Sequence, residues 1–155
     1  MKQVTGRLCQ RIKSELKTFH FLGIDDPMKL EPYLECRRLQ VGETLWEEDG
    51  ECGFMVFVVT GCLMVKKQTE FEGKNVIVGL YGPGAIAGEL CILDASPRVV
   101  TANAHEDSEI LVLTRENFER LCKESPELAV KLLKGMLLAV STRLRKSFDR
   151  LASVF

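Results

Sequence analysis

The segment MVFVVTGCLMVKKQTEFEGKNVIVGLYGPG, residues 55–84, decides the fold. It holds three runs dominated by β-branched and aliphatic residues, Met55–Val59, Leu63–Lys67 and Val76–Leu80, cut by Thr60-Gly61-Cys62 and Glu72-Gly73-Lys74. Apolar runs this short, each ending in a glycine turn, read as strands. The connections cannot hold the crossover helix that parallel neighbours require, so the strands run antiparallel. The same punctuation continues outward at Val41-Gly42-Glu43, Asp49-Gly50-Glu51 and Tyr81-Gly82-Pro83-Gly84, turn signals because glycine takes positive φ without steric cost. These delimit further strands at Thr44–Trp46, Val99–Ala104 and Glu109–Leu113, and no helix-period segment interrupts residues 39–113. The expected class is mainly β with flanking helices: an antiparallel β-roll (double-stranded β-helix, or jelly roll) over 39–113.

Helical periodicity brackets the roll. Leu8, Ile12, Leu16 and Phe19 predict an amphipathic first helix, and Asp25-Asp26-Pro27 opens a second short pattern through Met28, Leu30 and Leu34. Residues 1–38 are therefore expected to be N-terminal helices. After the roll, Glu116–Lys123 reads as a short helix, and Ser125-Pro126-Glu127 starts a long one, with serine as N-cap. Along it Val130, Leu133, Leu137, Val140, Leu144 and Leu151 alternate three- and four-residue steps, a heptad seam interrupted by Ser147. That seam either covers the roll or pairs with a second copy of the chain. With 155 residues there is room for one core, so 1–155 is read as one domain, its C-terminal helices over 115–155.

Composition narrows the function. No stretch approaches the roughly 20 apolar residues of a membrane span, and Lys2, Arg7, Arg11, Lys13 and Lys17 break up any secretory h-region, so a cytoplasmic location is expected. A net charge of −1 gives no global attraction to nucleic acid or anionic lipid. The six cysteines, Cys9, Cys36, Cys52, Cys62, Cys91 and Cys122, lack any CxxC pair and are expected to be reduced and mostly buried. The two histidines, His20 and His105, fall on different elements with no HxH or HxxE spacing, so neither a metal site nor a catalytic residue is assigned.

The chemistry concentrates in residues 84–102, GAIAGELCILDASPRVVTA. A guanidinium suits the two free oxygens of a phosphodiester, and Arg98 supplies one. A short helical turn after Glu89 aims backbone N–H groups, assigned here to Cys91 and Ile92, at the same anion, while Gly88 lets the backbone come close. Glu89 accepts only, so a sugar hydroxyl can donate to it. A thiol at Cys91, at a helix start beside an arginine, has a lowered pKa if it is more than a small filler.

These residues resemble the phosphate-binding cassette of the cyclic nucleotide-binding domain family, which includes the catabolite activator protein and the regulatory subunit of cAMP-dependent kinase. Gly88-Glu89-Leu90 matches the family's opening turn and Ser96-Pro97-Arg98 its arginine. The glycines at 42, 50, 61 and 84 and the terminal helix also fit. The resemblance implies a cyclic nucleotide as ligand, held by Gly88, Glu89, Leu90, Cys91, Ile92, Arg98, Val99 and Val100, with Arg143 and Leu144 of the long helix as base contacts. Where the family usually has one or two very small residues after the arginine, this chain has the stiffer, wider Val99 and Val100, which implies a more crowded phosphate site and a lower affinity. Members that prefer cGMP often carry a hydroxyl residue at the position of Val99, so by resemblance cAMP is expected.

The expected role is a regulatory, non-catalytic module that signals through its long helix to an effector, as a homodimer. Two alternatives share the fold: a degenerate domain kept for dimerisation or docking, and a relative of transcription regulators lacking a helix-turn-helix, since the chain stops at Phe155. Nucleic acid is not expected as a partner, because Arg143, Arg145, Lys146 and Arg150 read as a solvated helix face.

Overall fold

The strand signals close into two antiparallel sheets in the computed structural model, which describes residues 1–4, 6, 26–71 and 73–154. The strands are β1 (Lys2–Val4), β2 (Glu35–Leu39), β3 (Thr44–Trp46), β4 (Phe54–Thr60), β5 (Leu63–Gln68), β6 (Asn75–Tyr81), β7 (Ile86–Ala87), β8 (Thr101–Ala104) and β9 (Ser108–Thr114). The helices are α1 (Asp26–Leu30), α2 (Leu90–Leu93), α3 (Arg115–Glu124) and α4 (Pro126–Ala152), with a 3-10 turn at Glu31–Tyr33. One sheet has the order β1-β2-β9-β4-β7 and the other β3-β8-β5-β6.

The unbroken apolar run of β4 follows from where its two faces go. Met55, Phe57 and Val59 pack with Leu111 and Leu113 of β9 and with α3 and α4, whereas Val56 and Val58 join Val65, Ala102, Ile110 and Val112 between the sheets. A strand buried on both sides loses the hydrophobic-polar alternation of a half-exposed one. Its register with β9, Val56 opposite Val112 and Phe57 opposite Leu111, keeps each pair on one face.

The N-terminal expectation is corrected. Lys2–Val4 forms a strand against β2, Lys2 opposite Arg38 and Val4 opposite Cys36, and β2 itself falls inside the segment read as helical. Glu35-Cys36-Arg37-Arg38-Leu39 contains no β-branched residue, so propensity says nothing there, and pairing with β9 decides. The proposed first helix through Leu8, Ile12, Leu16 and Phe19 lies outside the described residues. The strand expected from Val99 begins only at Thr101, and β7, two residues long, is too short to leave a periodic signal.

At the C-terminal end both helices start where expected. Thr114 caps α3, accepting from Asn117 N–H at 3.1 Å, while Ser125 begins α4 with its backbone carbonyl alone, from Ala129 N–H at 3.0 Å. The roll is covered by Leu128, Ala129, Leu132 and Met136, a different stripe from the heptad seam. Of the seam, Leu133 packs against this core, and the remainder faces outward: Leu137 is 68% exposed, Leu144 53% and Leu151 61%.

Because Phe57 is fully buried between the sheet and the helices, Phe57→Ala is expected to lower stability by about 3–5 kcal/mol through lost burial and the cavity left behind. Urea denaturation should show an earlier midpoint at unchanged slope.

Candidate functional site

A cavity of about 190 Å³ opens where α2, the loop before β8, the β5–β6 hairpin and α4 meet. Its polar walls come from Gly88, Glu89, Ser96, Arg98, Arg143 and Trp46.

Arg98 is fixed first by its backbone. Its N–H donates to Gly50 O at 3.1 Å and its carbonyl accepts from Asp49 N–H at 2.8 Å, so the loop before β8 is bridged to the turn between β3 and β4. The side chain is only 3% exposed. Its Nε donates to Glu51 O at 3.2 Å, and the guanidinium lies 3.9 Å from the Trp46 ring centroid and 4.6 Å from that of Phe54. No carboxylate pairs with it, and both Nη1 and Nη2 lack a hydrogen-bond partner among the described residues. Burial alone pulls its pKa down to about 10, which leaves it a cation at neutral pH.

Trp46 Nε1 is also buried with no partner among the described residues. Three orphaned groups around one hollow are therefore all N–H donors, two on a cation. Buried donors left unmatched cost about 1–3 kcal/mol each, more when charged. The complement is an anion rich in acceptor oxygens. Gly88 makes the approach possible: its φ is +76°, and a Cβ there would lie 2.6 Å from Arg98 Nη1 and 3.1 Å from the Trp46 ring.

Glu89 faces the same hollow from the N-cap position of α2. It does not pair with Arg98; its Oε1 accepts from Arg143 Nη1 at 3.2 Å. Arg143 Nη2 also donates to Ile86 O at 2.6 Å, and its guanidinium stacks 4.4 Å from the Tyr81 ring centroid. The expectation that Arg143 belongs to a solvated basic face is thus corrected, although Arg145, Lys146 and Arg150 are exposed.

The structure brings Gly88, Glu89, Leu90, Cys91, Arg98, Val99, Val100 and Arg143 to one cavity. Val99 and Val100 line it without filling it, Val99 being largely exposed and held by Lys67 Nζ, which donates to its carbonyl at 3.0 Å. Contrary to their assignment as ligand contacts, Ile92 is buried in the core beside the helices and Leu144 is exposed outside the lining, one residue and about 100° around the helix from an inward-turned Arg143. The amide assigned to Cys91 is already spent on Gly88 O at 3.0 Å.

The cysteine expectation is overturned at three positions. Cys52 and Cys91 form a disulfide, Cys36 is also disulfide-bonded, and Cys62 and Cys122 are free. Cys91 is neither thiolate nor thiol filler. Cys52 and Cys91 are 39 residues apart, so only the folded chain brings them together. Trp46, Cys52 and Tyr81 were not singled out by sequence. The one available signal was that Trp46 is the sole tryptophan, a large ring whose N–H needs a partner when buried.

Among the described residues no cluster of His, Cys, Asp or Glu is placed to hold a metal ion, and no helix is long and apolar enough to cross a membrane.

Comparison with known proteins agrees with this geometry. The family model described as "Cyclic nucleotide-binding domain" matches residues 36–125. The chain is 29% identical over 114 residues to the "Cyclic AMP receptor protein" of Thermus thermophilus, covering 74% of this chain and 52% of that one. It is 28% identical over 134 residues to "Neuropathy target esterase sws" of Drosophila virilis, covering 81% of this chain and 9% of the relative. The chain thus spans about half the length of the first relative and a small part of the second. A cyclic nucleotide-binding domain from Methylobacillus flagellatus superposes with a TM-score of 0.87 at 22% identity, covering 99% of this chain and 89% of that one. The Thermus thermophilus catabolite activator protein gives 0.72 at 26%, covering 88% and 62%.

Two stability measurements on the ligand-free protein test this geometry. Arg98→Met should melt at or above the wild-type temperature, because an apolar chain of similar length replaces an uncompensated charge. Were Arg98 a paired structural ion, its loss would cost about 3–5 kcal/mol instead. Gly88→Ala should lose about 1–3 kcal/mol from backbone strain and the clash with Arg98.

Proposed function

The chain belongs to the cyclic nucleotide-binding domain family, and we propose that its cavity binds cAMP, the negative charge of the cyclic phosphate meeting Arg98. The observation that carries this reading is the buried guanidinium with Nη1 and Nη2 unmatched beside the unmatched Trp46 Nε1. Two free phosphate oxygens supply the acceptors those donors lack, in the forked geometry an arginine favours. Glu89, an acceptor on the facing wall, would take a hydrogen bond from the ribose 2′-hydroxyl. Two similar proteins support the ligand class: a relative named a cyclic AMP receptor protein, and a structural neighbour at 22% identity and a TM-score of 0.66, the regulatory domain of a Toxoplasma gondii kinase described with cAMP. Val99 offers no hydroxyl to a guanine amino group, which favours cAMP over cGMP.

Output would run through α4. Arg143 sits on that helix and holds Glu89, so a sugar hydroxyl that claims Glu89 competes with the Arg143 contact. The ligand then favours one placement of α4 over another, and only such unequal affinity shifts an equilibrium. The outward seam of Leu137, Val140, Leu144 and Leu151 is the surface for a second copy of the chain, because its heptad spacing matches a self-complementary helix pair. The effector that reads the dimer would be another protein.

Titration calorimetry with cAMP and cGMP tests the binding reading. Saturable heat with cAMP, stronger than with cGMP, is the expected result, and Arg98→Met should weaken it by 100-fold or more, roughly 2.7 kcal/mol. Silence at millimolar nucleotide would leave a docking domain instead. Dimerisation is checked by sedimentation: Leu137→Lys with Leu144→Lys should sediment as a monomer where the wild type is a dimer, since two charges in an apolar seam cannot be buried.

A further inference from the structure

Cys52 and Cys91 join the two sides of the cavity. Cys52 lies in the β3–β4 turn that holds Arg98 through Asp49, Gly50 and Glu51, and Cys91 lies in α2, two residues beyond Glu89. The bridge therefore ties the turn that anchors the cation to the helix that follows the sugar-facing carboxylate. Both cysteines line the cavity.

The two sulfurs differ in access. Cys91 is 3% exposed, whereas Cys52 is half-buried and also borders an outer groove formed with Asp49, Ala95, Pro97 and Arg115. Arg115 clips both sides: its Nη2 donates to Cys52 O at 3.1 Å, Cys91 O at 2.6 Å and Asp94 O at 2.7 Å. These contacts hold the two segments together when the covalent link is open, so the cysteines can meet again. Arg115 also lines that outer groove, where its charge draws in an anionic small thiol. Cys62 and Cys122, by contrast, are thiols whose pKa is pushed up by burial, which makes them poor exchange partners.

We propose that Cys52–Cys91 is a reversible thiol–disulfide modification site that sets the cavity's affinity for cyclic nucleotide, tight when bridged and weaker when open; this rests on the binding reading above. The thiolate of a small thiol attacks Cys52 Sγ, the sulfur–sulfur bond breaks, and the electron pair leaves on Cys91 Sγ, which takes up a proton. A second thiol attacks the mixed disulfide and releases Cys52 as a thiol. Two small thiols are thereby oxidised to one small disulfide, and the protein gains two thiols. The reverse reaction uses a small disulfide as oxidant. The affinity difference arises because a bridged cavity is organised before the ligand arrives, whereas an open one must be ordered on binding.

Calorimetric titration of cAMP into the full chain, equilibrated with oxidised glutathione in one sample and dithiothreitol in the other, tests this. The dissociation constant is expected to rise about tenfold on reduction. Cys52→Ser, or Cys52→Ala should the serine variant not fold, should bind with the weaker constant under both conditions. Cys36→Ser, which removes the other disulfide, should keep the tenfold response. Equal constants in both samples, tighter binding after reduction, or a redox response that survives in the Cys52 variant would overturn the proposal and leave cAMP binding intact. Absence of heat in both samples would remove the nucleotide reading, and this inference with it.

Discussion

A guanidinium taken out of water without a counterion constrains everything near it. Arg98 keeps a place in the interior only because its surroundings are built around a charge: two aromatic faces, a backbone carbonyl on Nε, and a glycine where any side chain would collide with Nη1. None of these neutralises it. Cation–π contacts recover about 2 kcal/mol when desolvated, less than an unpaired buried charge costs. Natural structures seldom leave such a charge unmatched unless a partner arrives from outside. The fold thus stores a deficit at one point, which a bound anion would offset.

The roll is the device that keeps that deficit from relaxing. If Arg98 were on a mobile surface loop, it would swing into water. Instead the loop is bridged to the β3–β4 turn in both directions, Lys67 holds the carbonyl of Val99, and Thr101 Oγ1 accepts from Glu48 N–H at 2.9 Å. These contacts are local to the site, but β3, β5 and β8, to which they connect, are held by the apolar layer between the sheets. Core packing is therefore what makes the cation's burial persistent, and it explains why the cavity sits at the edge of the apolar layer between the sheets.

The roll was legible in the sequence because glycine turns and β-branched runs are local signals, and β3 to β6 and β9 came within two residues of their expected bounds. β1 and β2 were not, since Glu35-Cys36-Arg37-Arg38-Leu39 owes its conformation to β9 across the fold and not to its own propensity. In the cavity lining, Gly88, Glu89 and Arg98 were singled out by the family resemblance together with their side-chain chemistry. The partner of Glu89 was not: Arg143 is 54 residues away, and a basic residue on a helix usually faces solvent. The Cys52–Cys91 bridge was hidden for the same reason, because a contact of separation 39 leaves no periodic trace.

Arg143 is also where site and surface meet. On α4 one stripe, Leu128 to Met136, is committed to the roll, and a second, Leu137 to Leu151, is exposed. Arg143 lies within the span of the exposed stripe yet points inward, gripping Glu89, Ile86 O and the face of Tyr81. The distal half of the helix is thus held to the roll chiefly by polar contacts from one side chain, whereas its first three turns are held by buried apolar area. Apolar burial does not respond to a small polar ligand, but a carboxylate contact does, because a competing donor can replace it. Any motion the ligand induces in α4 is therefore expected beyond Met136, in the half of the helix that carries the exposed leucines.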